Sequence, residues 1–227
     1  MSRVLVTGSA SGLGSEIVVA LRYANHNVIE FDYIYGRDVR DPVRTWGETP
    51  PNDLDVLINC AGVNRLGWLE NFAERDWDDV MDTNVKGIFK MVQWCLPSLT
   101  DTKGTIINIV SNASHVPMTC SSAYNASKGA AHILTLQMAR ELGKRHGITV
   151  FGISPNKMAG TEMSRALEPQ VEALRGWTPE EARAYQLAAL PAGAETPPAL
   201  IAEFIAFLLS SKERHRFLAG TVIPYGA

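Results

Sequence analysis

Tyr124 and Lys128 stand four residues apart in Tyr124-Asn125-Ala126-Ser127-Lys128, so on a helix they share one face. A neighbouring ammonium favours the phenolate and draws a tyrosine down from its inert range, about 10, towards acid–base work. An ordinary amphipathic helix with a surface tyrosine and lysine has the same spacing. Upstream, the apolar run Gly104–Val110 ends at Ser111-Asn112-Ala113-Ser114. Ligands of open parallel sheets bind beyond the carboxyl ends of the strands, so Ser111 either faces the same cleft or is a turn serine. Near the N-terminus, Val4-Leu5-Val6 leads through Gly8-Ser9-Ala10-Ser11-Gly12-Leu13-Gly14 into the helical run Glu16–Leu21. A glycine turn between strand and helix lets backbone approach a ligand closely, while the free N–H groups and the dipole of the helix attract an anion. Its Gly-x-x-x-Gly-x-Gly spacing is neither Gly-x-Gly-x-x-Gly nor a P-loop, which needs Gly-Lys-Ser/Thr. A phosphate cradle and a turn built for geometry alone both fit it.

The elements that must position these residues are legible as alternation. Apolar runs recur at Arg3–Thr7, Asn27–Phe31, Asp55–Cys60, Gly104–Val110, Ile148–Ile153 and Thr221–Pro224, and helical patterns separate most of them. This predicts an α/β fold with a doubly wound, Rossmann-type parallel sheet of about seven strands and helices on both faces. At 227 residues, the chain suits one such domain over its whole length. Between Phe31 and Asp55 lie Gly36, Pro42, Gly47, Pro50 and Pro51, so the crossover helix there is expected to be short or absent. A helix from about Glu74 to Leu99 carries the apolar stripe Trp77, Val80, Met81, Ile88, Met91, Val92, Cys95 and Leu96, with Asn84 inside it. A buried amide needs partners, so Asn84 anchors a neighbouring backbone or orders water, and the residues alone favour the anchor. A further helix is expected from about Ala123 to His146.

Composition excludes other classes. The net charge of -3 is scattered, which leaves no basic footprint for nucleic acid. No apolar stretch reaches the roughly 18 residues of a membrane span, and no signal-peptide pattern opens the chain, so the expectation is a cytoplasmic protein. Cys60, Cys95 and Cys120 lack Cys-x-x-Cys spacing, and His26, His115, His132, His146 and His215 lack ligand spacing. Reduced thiols and no metal site are expected.

Taken in order, these motifs resemble the short-chain dehydrogenase/reductase family over nearly the whole chain. Thr7-Gly8 through Gly14 is similar to its Thr-Gly-x-x-x-Gly-x-Gly turn, and Asn59-Cys60-Ala61-Gly62 to its Asn-Asn-Ala-Gly. Asn84 falls where its helix asparagine lies, Ile107-Asn108-Ile109-Val110-Ser111 resembles the strand ending in its serine, and thirteen residues separate Ser111 from Tyr124. The resemblance implies that Tyr124 is the general acid or base and that Ser111 binds the substrate oxygen. Lys128 would lower the Tyr124 pKa and hold the nicotinamide ribose, and Asn84 would support a water relay, reversing the anchor reading. Gly8, Ser11, Gly12, Leu13, Gly14, Asp38, Val39, Asn59, Ala61, Gly62, Pro155 and Thr161 would complete the cofactor site with Tyr124 and Lys128. Asp32, 18 residues after Gly14, would bond the adenosine ribose and repel a 2′-phosphate, which implies NAD. Arg22 and Arg37 are the residues that could instead accept that phosphate.

The chain departs from the family pattern in three places. Ser154-Pro155-Asn156 stands where Pro-Gly is usual, Thr161 comes one residue late for an amide contact, and Gly220–Ala227 stops short of the usual Asp-Gly-Gly. The stretch from Thr161 to Pro191, with Met163, Leu167, Leu174, Trp177, Tyr185 and Leu187, is the expected substrate lid. With Asn64, Trp68, Ser114, His115 and Val116 it would shape the pocket, while His115 alone reads as a solvated loop histidine. The expected activity is the interconversion of a secondary alcohol and a carbonyl compound, both small molecules, by a homotetramer or dimer. The alternatives are a non-catalytic, dinucleotide-binding regulatory protein on the same fold and an NAD-retaining epimerase or dehydratase, whose longer substrate region this chain lacks.

Overall fold

Six parallel strands form one sheet in the order β2-β1-β3-β4-β5-β6. They are β1 (Arg3–Thr7), β2 (Asn27–Phe31), β3 (Val56–Asn59), β4 (Thr105–Ile109), β5 (Thr149–Pro155) and β6 (Val222–Tyr225). The computed structural model describes residues 1–41, 43–46 and 49–226, so Pro42, Gly47 and Ala227 of the sequence reading lie outside the described residues. Among the described residues each of the six expected runs is a strand, in keeping with a sheet of about seven.

Alternation along the strands makes two apolar layers. Val4 and Val6 of β1, Ile58 of β3, Ile107 of β4 and Phe151 of β5 face α1 (Gly12–Tyr23) and a C-terminal helix, Pro198–Leu209. Leu5, Leu57, Ile106 and Val150 point the other way, against the helices Gly87–Thr102 and Ser122–His146. In chain order the remaining helices are α2 (Glu74–Met81), α3 (Gly87–Thr102), α4 (Ser122–His146), α5 (Glu162–Arg175), α6 (Pro179–Ala188), α7 (Pro198–Leu209) and the short α8 (Lys212–His215).

The expected helix from Glu74 is interrupted. Between α2 and α3 the backbone widens into a π turn at Asp82–Lys86, and Asn84, fully buried, lies in it. Hydrophobic periodicity does not reveal a one-residue widening of this kind, which is frequent at functional sites. Trp77, expected in the apolar stripe, is exposed instead.

Among the described residues between β2 and β3 the chain makes 3-10 turns at Tyr33–Tyr35 and Val43–Thr45 and no α-helix, as the prolines and glycines predict. Trp46 takes over the covering role of the missing helix. Its ring meets Phe31 edge-on at 5.2 Å and Trp94 at 5.6 Å, and its Nε1 donates to the Asp38 carbonyl at 2.8 Å. Trp46→Ala is expected to lower the unfolding free energy by about 3–5 kcal/mol in urea titrations, with the Asp38–Val39 segment loosened.

Candidate active site

A cavity of about 780 Å3 opens beyond the carboxyl ends of β1 to β5, with Gly8, Asp32, Cys60, Ser111 and Pro155 all on its wall. At its floor, the glycine turn is folded tightly on itself. Gly8 has φ +64°, and a Cβ on it would stand 2.7 Å from the Ala61 Cα. A Cβ on Gly14 would stand 1.9 Å from the Gly8 carbonyl oxygen. Only glycine permits both approaches, and they bring the start of α1 and its free N–H groups to the cavity. Thr7 Oγ1 ties the turn to the β3 end by accepting from Cys60 N at 3.0 Å and Ala61 N at 3.1 Å.

Asp32 is buried at the same end. Its Oδ2 accepts from Ala10 N at 3.0 Å and its Oδ1 from Ile34 N at 3.2 Å. Each oxygen keeps a further acceptor position, so ribose hydroxyls fit this carboxylate. Of the two arginines that could answer a 2′-phosphate, Arg22 is paired with Glu30 at 2.6 Å, whereas Arg37 lines the cavity. Asp38 and Val39 line it too. Burial works against the Asp38 carboxylate, but hydrogen bonds and charge from Arg40 hold it below its ordinary value. Arg40 also reaches Asp79, and Asp79 pairs with Arg65 at 2.6 Å, a charge chain that no motif revealed.

At the other end, four sequence-predicted residues converge. Lys128 is buried, donates to the Ile109 carbonyl at 3.0 Å and lies 5.7 Å from the centre of the Tyr124 ring. A Cβ on Gly62 would stand 3.3 Å from Asn84 Oδ1 and 3.7 Å from Lys128 Nζ, so the β3 loop packs directly on both. Ser111 Oγ accepts from Ala113 N at 3.2 Å, donates to Asn112 Oδ1 at 3.3 Å and is hydrogen-bonded to Tyr124.

Two expectations are corrected here. Burial raises the Tyr124 phenol above its ordinary value, with the Ser111 hydrogen bond opposing, so Lys128 is not what sets it. Burial also pulls Lys128 itself down to about 8 against the opposing charge of Cys60, while the Cys60 thiol is pushed up to about 12. Asn59 turns away from the cavity. It shares the Leu57 side of β3, pairs in register with Asn108 and donates to Asn108 Oδ1 at 2.8 Å, and Asn108 in turn donates to Thr135 at 2.9 Å.

Three further residues show how side chains are committed. Asn84 Oδ1 accepts from Val63 N at 2.9 Å, and its Nδ2 donates to the Val63 carbonyl at 2.9 Å and to Ser127 Oγ at 3.0 Å. That side chain is a backbone anchor, as the residues alone indicated. Thr161 caps α5 by accepting from Ser164 N at 3.1 Å, so its hydroxyl serves the helix while the residue lines the cavity. Asn156, in place of a glycine, accepts from Asn112 Nδ2 at 2.7 Å and donates to the Gly226 carbonyl at 3.2 Å, which links the Ser111 turn to the chain end. Sequence reasoning missed Asn112 and also Asn125, whose Nδ2 donates to the Ala113 and Val116 carbonyls at 2.6 and 2.8 Å. Its place beside Tyr124 was the available signal.

Of the residues expected to shape the pocket, Asn64, His115, Val116, Met163, Leu167 and Tyr185 line the cavity. Trp68, Ser114, Leu174, Trp177 and Leu187 stand outside its wall, although Trp68 Nε1 donates to the Leu174 carbonyl at 3.3 Å. Among the described residues no group of three or more His, Cys, Asp and Glu side chains is placed to hold a metal ion, and no helix is long and apolar enough to cross a membrane.

The Lys128 shift has a sign in solution. Its folded pKa lies below its unfolded value, so the cost of burying the charge is full below about pH 8 and fades towards the usual lysine range. Unfolding free energy should therefore climb above pH 8, by at most about 1.4 kcal/mol per pH unit. Cys60 and Tyr124, both raised, oppose the climb from about pH 9 upward. Denaturant titrations across pH 8 to 9 are expected to show the slope in the wild type and to lose it in Lys128→Met.

Residues 37–172 match the family model described as short chain dehydrogenase. The 2,3-dihydro-2,3-dihydroxybenzoate dehydrogenase of Escherichia coli is 29% identical over 246 aligned residues, covering 99% of this chain and 96% of that protein. The 3-oxoacyl-(acyl-carrier-protein) reductase FabG of Staphylococcus aureus is 30% identical over 244, covering 93% and 92%. A solved structure from Agrobacterium tumefaciens with bound NADP, assigned as a 2-deoxy-d-gluconate 3-dehydrogenase, superposes with a TM-score of 0.83 at 27% identity, covering 98% and 94%.

Proposed function

The chain belongs to the short-chain dehydrogenase/reductase family, and on that footing we propose that it is an NAD-dependent oxidoreductase interconverting a secondary alcohol and a carbonyl compound. The observation that carries this reading is the meeting of Ser111, Tyr124, Lys128 and Asn84 at one end of a cavity whose other end holds the glycine turn and Asp32. The dinucleotide, when bound, supplies or accepts the hydride. Gly8, Ser11, Gly12, Leu13 and Gly14 would hold its pyrophosphate against the N-terminus of α1. Asp38, Val39, Ala61 and Gly62 would wall its adenosine half, and Pro155 and Thr161 its nicotinamide half.

In this reading Tyr124 gives its phenolic proton to the carbonyl oxygen in reduction and takes one back in oxidation. Ser111 donates to the same oxygen and stabilises the charge that develops there. Lys128 holds the ribose. With the Asn84 side chain committed to Val63 and Ser127, any water relay would run past it along the opened backbone of the π turn. Residues 161–191 act as the lid. Exposed Phe89 on α3 and Ile133 on α4 support a homo-oligomer, a tetramer or dimer.

Asp32 supports NAD over NADP, since a buried carboxylate repels a 2′-phosphate at the ribose. The Agrobacterium protein binds NADP, which makes the cofactor the first thing to measure. Fluorescence titration is expected to give tighter binding of NADH than of NADPH, with the ratio narrowed at least about tenfold in Asp32→Asn. Equal affinities in the wild type would overturn the NAD assignment, and binding of neither would overturn the enzyme reading.

A further inference from the structure

The cations on the α5–α6 side of the cavity are not equivalent. Lys157 is answered by Glu168 at 3.4 Å and Glu195 at 3.5 Å, and it also donates to Gln186. Arg175, at the end of α5, lines the same cavity, yet no carboxylate among the described residues lies within salt-bridge range of it. Its guanidinium lies beside a pair of touching rings, 4.7 Å from the centre of Trp177 and 5.3 Å from that of Tyr185, whose centres are 4.9 Å from each other. A cation–π contact engages the charge of a guanidinium and consumes none of its five N–H donors. One of these, on Nη2, goes to the neutral carbonyl of Thr119 at 3.2 Å. Four donors remain, enough for the two parallel hydrogen bonds by which a guanidinium captures a carboxylate.

We propose that Arg175 binds a carboxylate of the substrate, so that the group turned over at Tyr124 belongs to an organic acid. The inference rests on the oxidoreductase reading for the reaction and adds the substrate class. A carboxylate fits better than a phosphate because one uncompensated cation matches one negative charge, Lys157 being already paired. Leu167 and Val171 beside it on the cavity wall favour an apolar body attached to that acid.

The test is calorimetric titration of benzoate, benzamide and phenyl phosphate into the wild type, Arg175→Lys and Arg175→Met, with and without saturating NADH. Benzoate is expected to bind about tenfold or more tightly than benzamide in the wild type. That ratio should fall to about one in Arg175→Met and lie between in Arg175→Lys, with NADH affinity equal in all three. A ratio near one in the wild type, including no binding of either ligand, overturns the proposal. So does a preference that survives Arg175→Met, equal weakening of benzoate and benzamide, which would mark Arg175 as a clasp on the Thr119 loop, or tighter binding of phenyl phosphate. Failure of NADH itself to bind would count against the cofactor reading and leave the benzoate comparison standing.

Discussion

Tyr124→Phe is expected to bind NADH as the wild type does and to turn over at least about a thousandfold more slowly, because the loss is confined to proton transfer. The ring of Tyr124 packs within 5.7 Å of Lys128, and phenylalanine preserves that packing while removing the only atom that can carry the proton. Burial holds the phenol protonated in the folded protein, which suits a general acid in carbonyl reduction. The substitution also leaves the Ser111 hydroxyl in place, supported by Ala113 N and Asn112. Binding and chemistry therefore separate in this variant: the cofactor titration should be unchanged, and kcat should fall. A variant that kept full turnover would remove Tyr124 from the mechanism.

Gly14→Ala is expected to fail earlier, at binding and at folding. The added Cβ would lie 1.9 Å from the Gly8 carbonyl oxygen and 2.7 Å from the carbonyl carbon, and both are backbone atoms that no side-chain rotation can relieve. Gly8 has no room to retreat, since its own α-carbon faces the backbone of Ala61. Overpacking of this kind costs about 3 kcal/mol or more, and opening the turn moves the N–H groups that would hold the pyrophosphate. NADH affinity should drop at least about a hundredfold. Ser11→Ala is the control: the Ser11 side chain makes no capping bond to α1, so stability should stay within about 0.5 kcal/mol of the wild type.

The sheet was legible because its strands are continuous Val, Ile and Leu runs, and the site was legible because strand ends and helix starts fix where short motifs must lie. What escaped the sequence is tertiary pairing. Asn112 meets Asn156 and Arg40 meets Asp79 across gaps of 44 and 39 residues, with no periodicity to announce them. Asn59 was assigned to the cofactor by its motif, but strand alternation turns it to the layer that holds Asn108 and Thr135. The Asn84 side chain anchors Val63, and its backbone sits in a π turn that hydrophobic periodicity does not reveal. The direction of the Tyr124 shift could not be read from an i, i+4 spacing, since burial, which is a property of the packed fold, raises the phenol against the opposing Ser111 hydrogen bond.

Hydride transfer at Tyr124 is tested most directly by a single-turnover reaction of NADH carrying deuterium at both nicotinamide C4 positions with a panel of ketones and keto acids, read by mass spectrometry of the products. One deuterium is expected on the former carbonyl carbon in a wild-type product and almost none with Tyr124→Phe. Cofactor that binds while no wild-type product gains deuterium, or equal labelling by Tyr124→Phe, would contradict it.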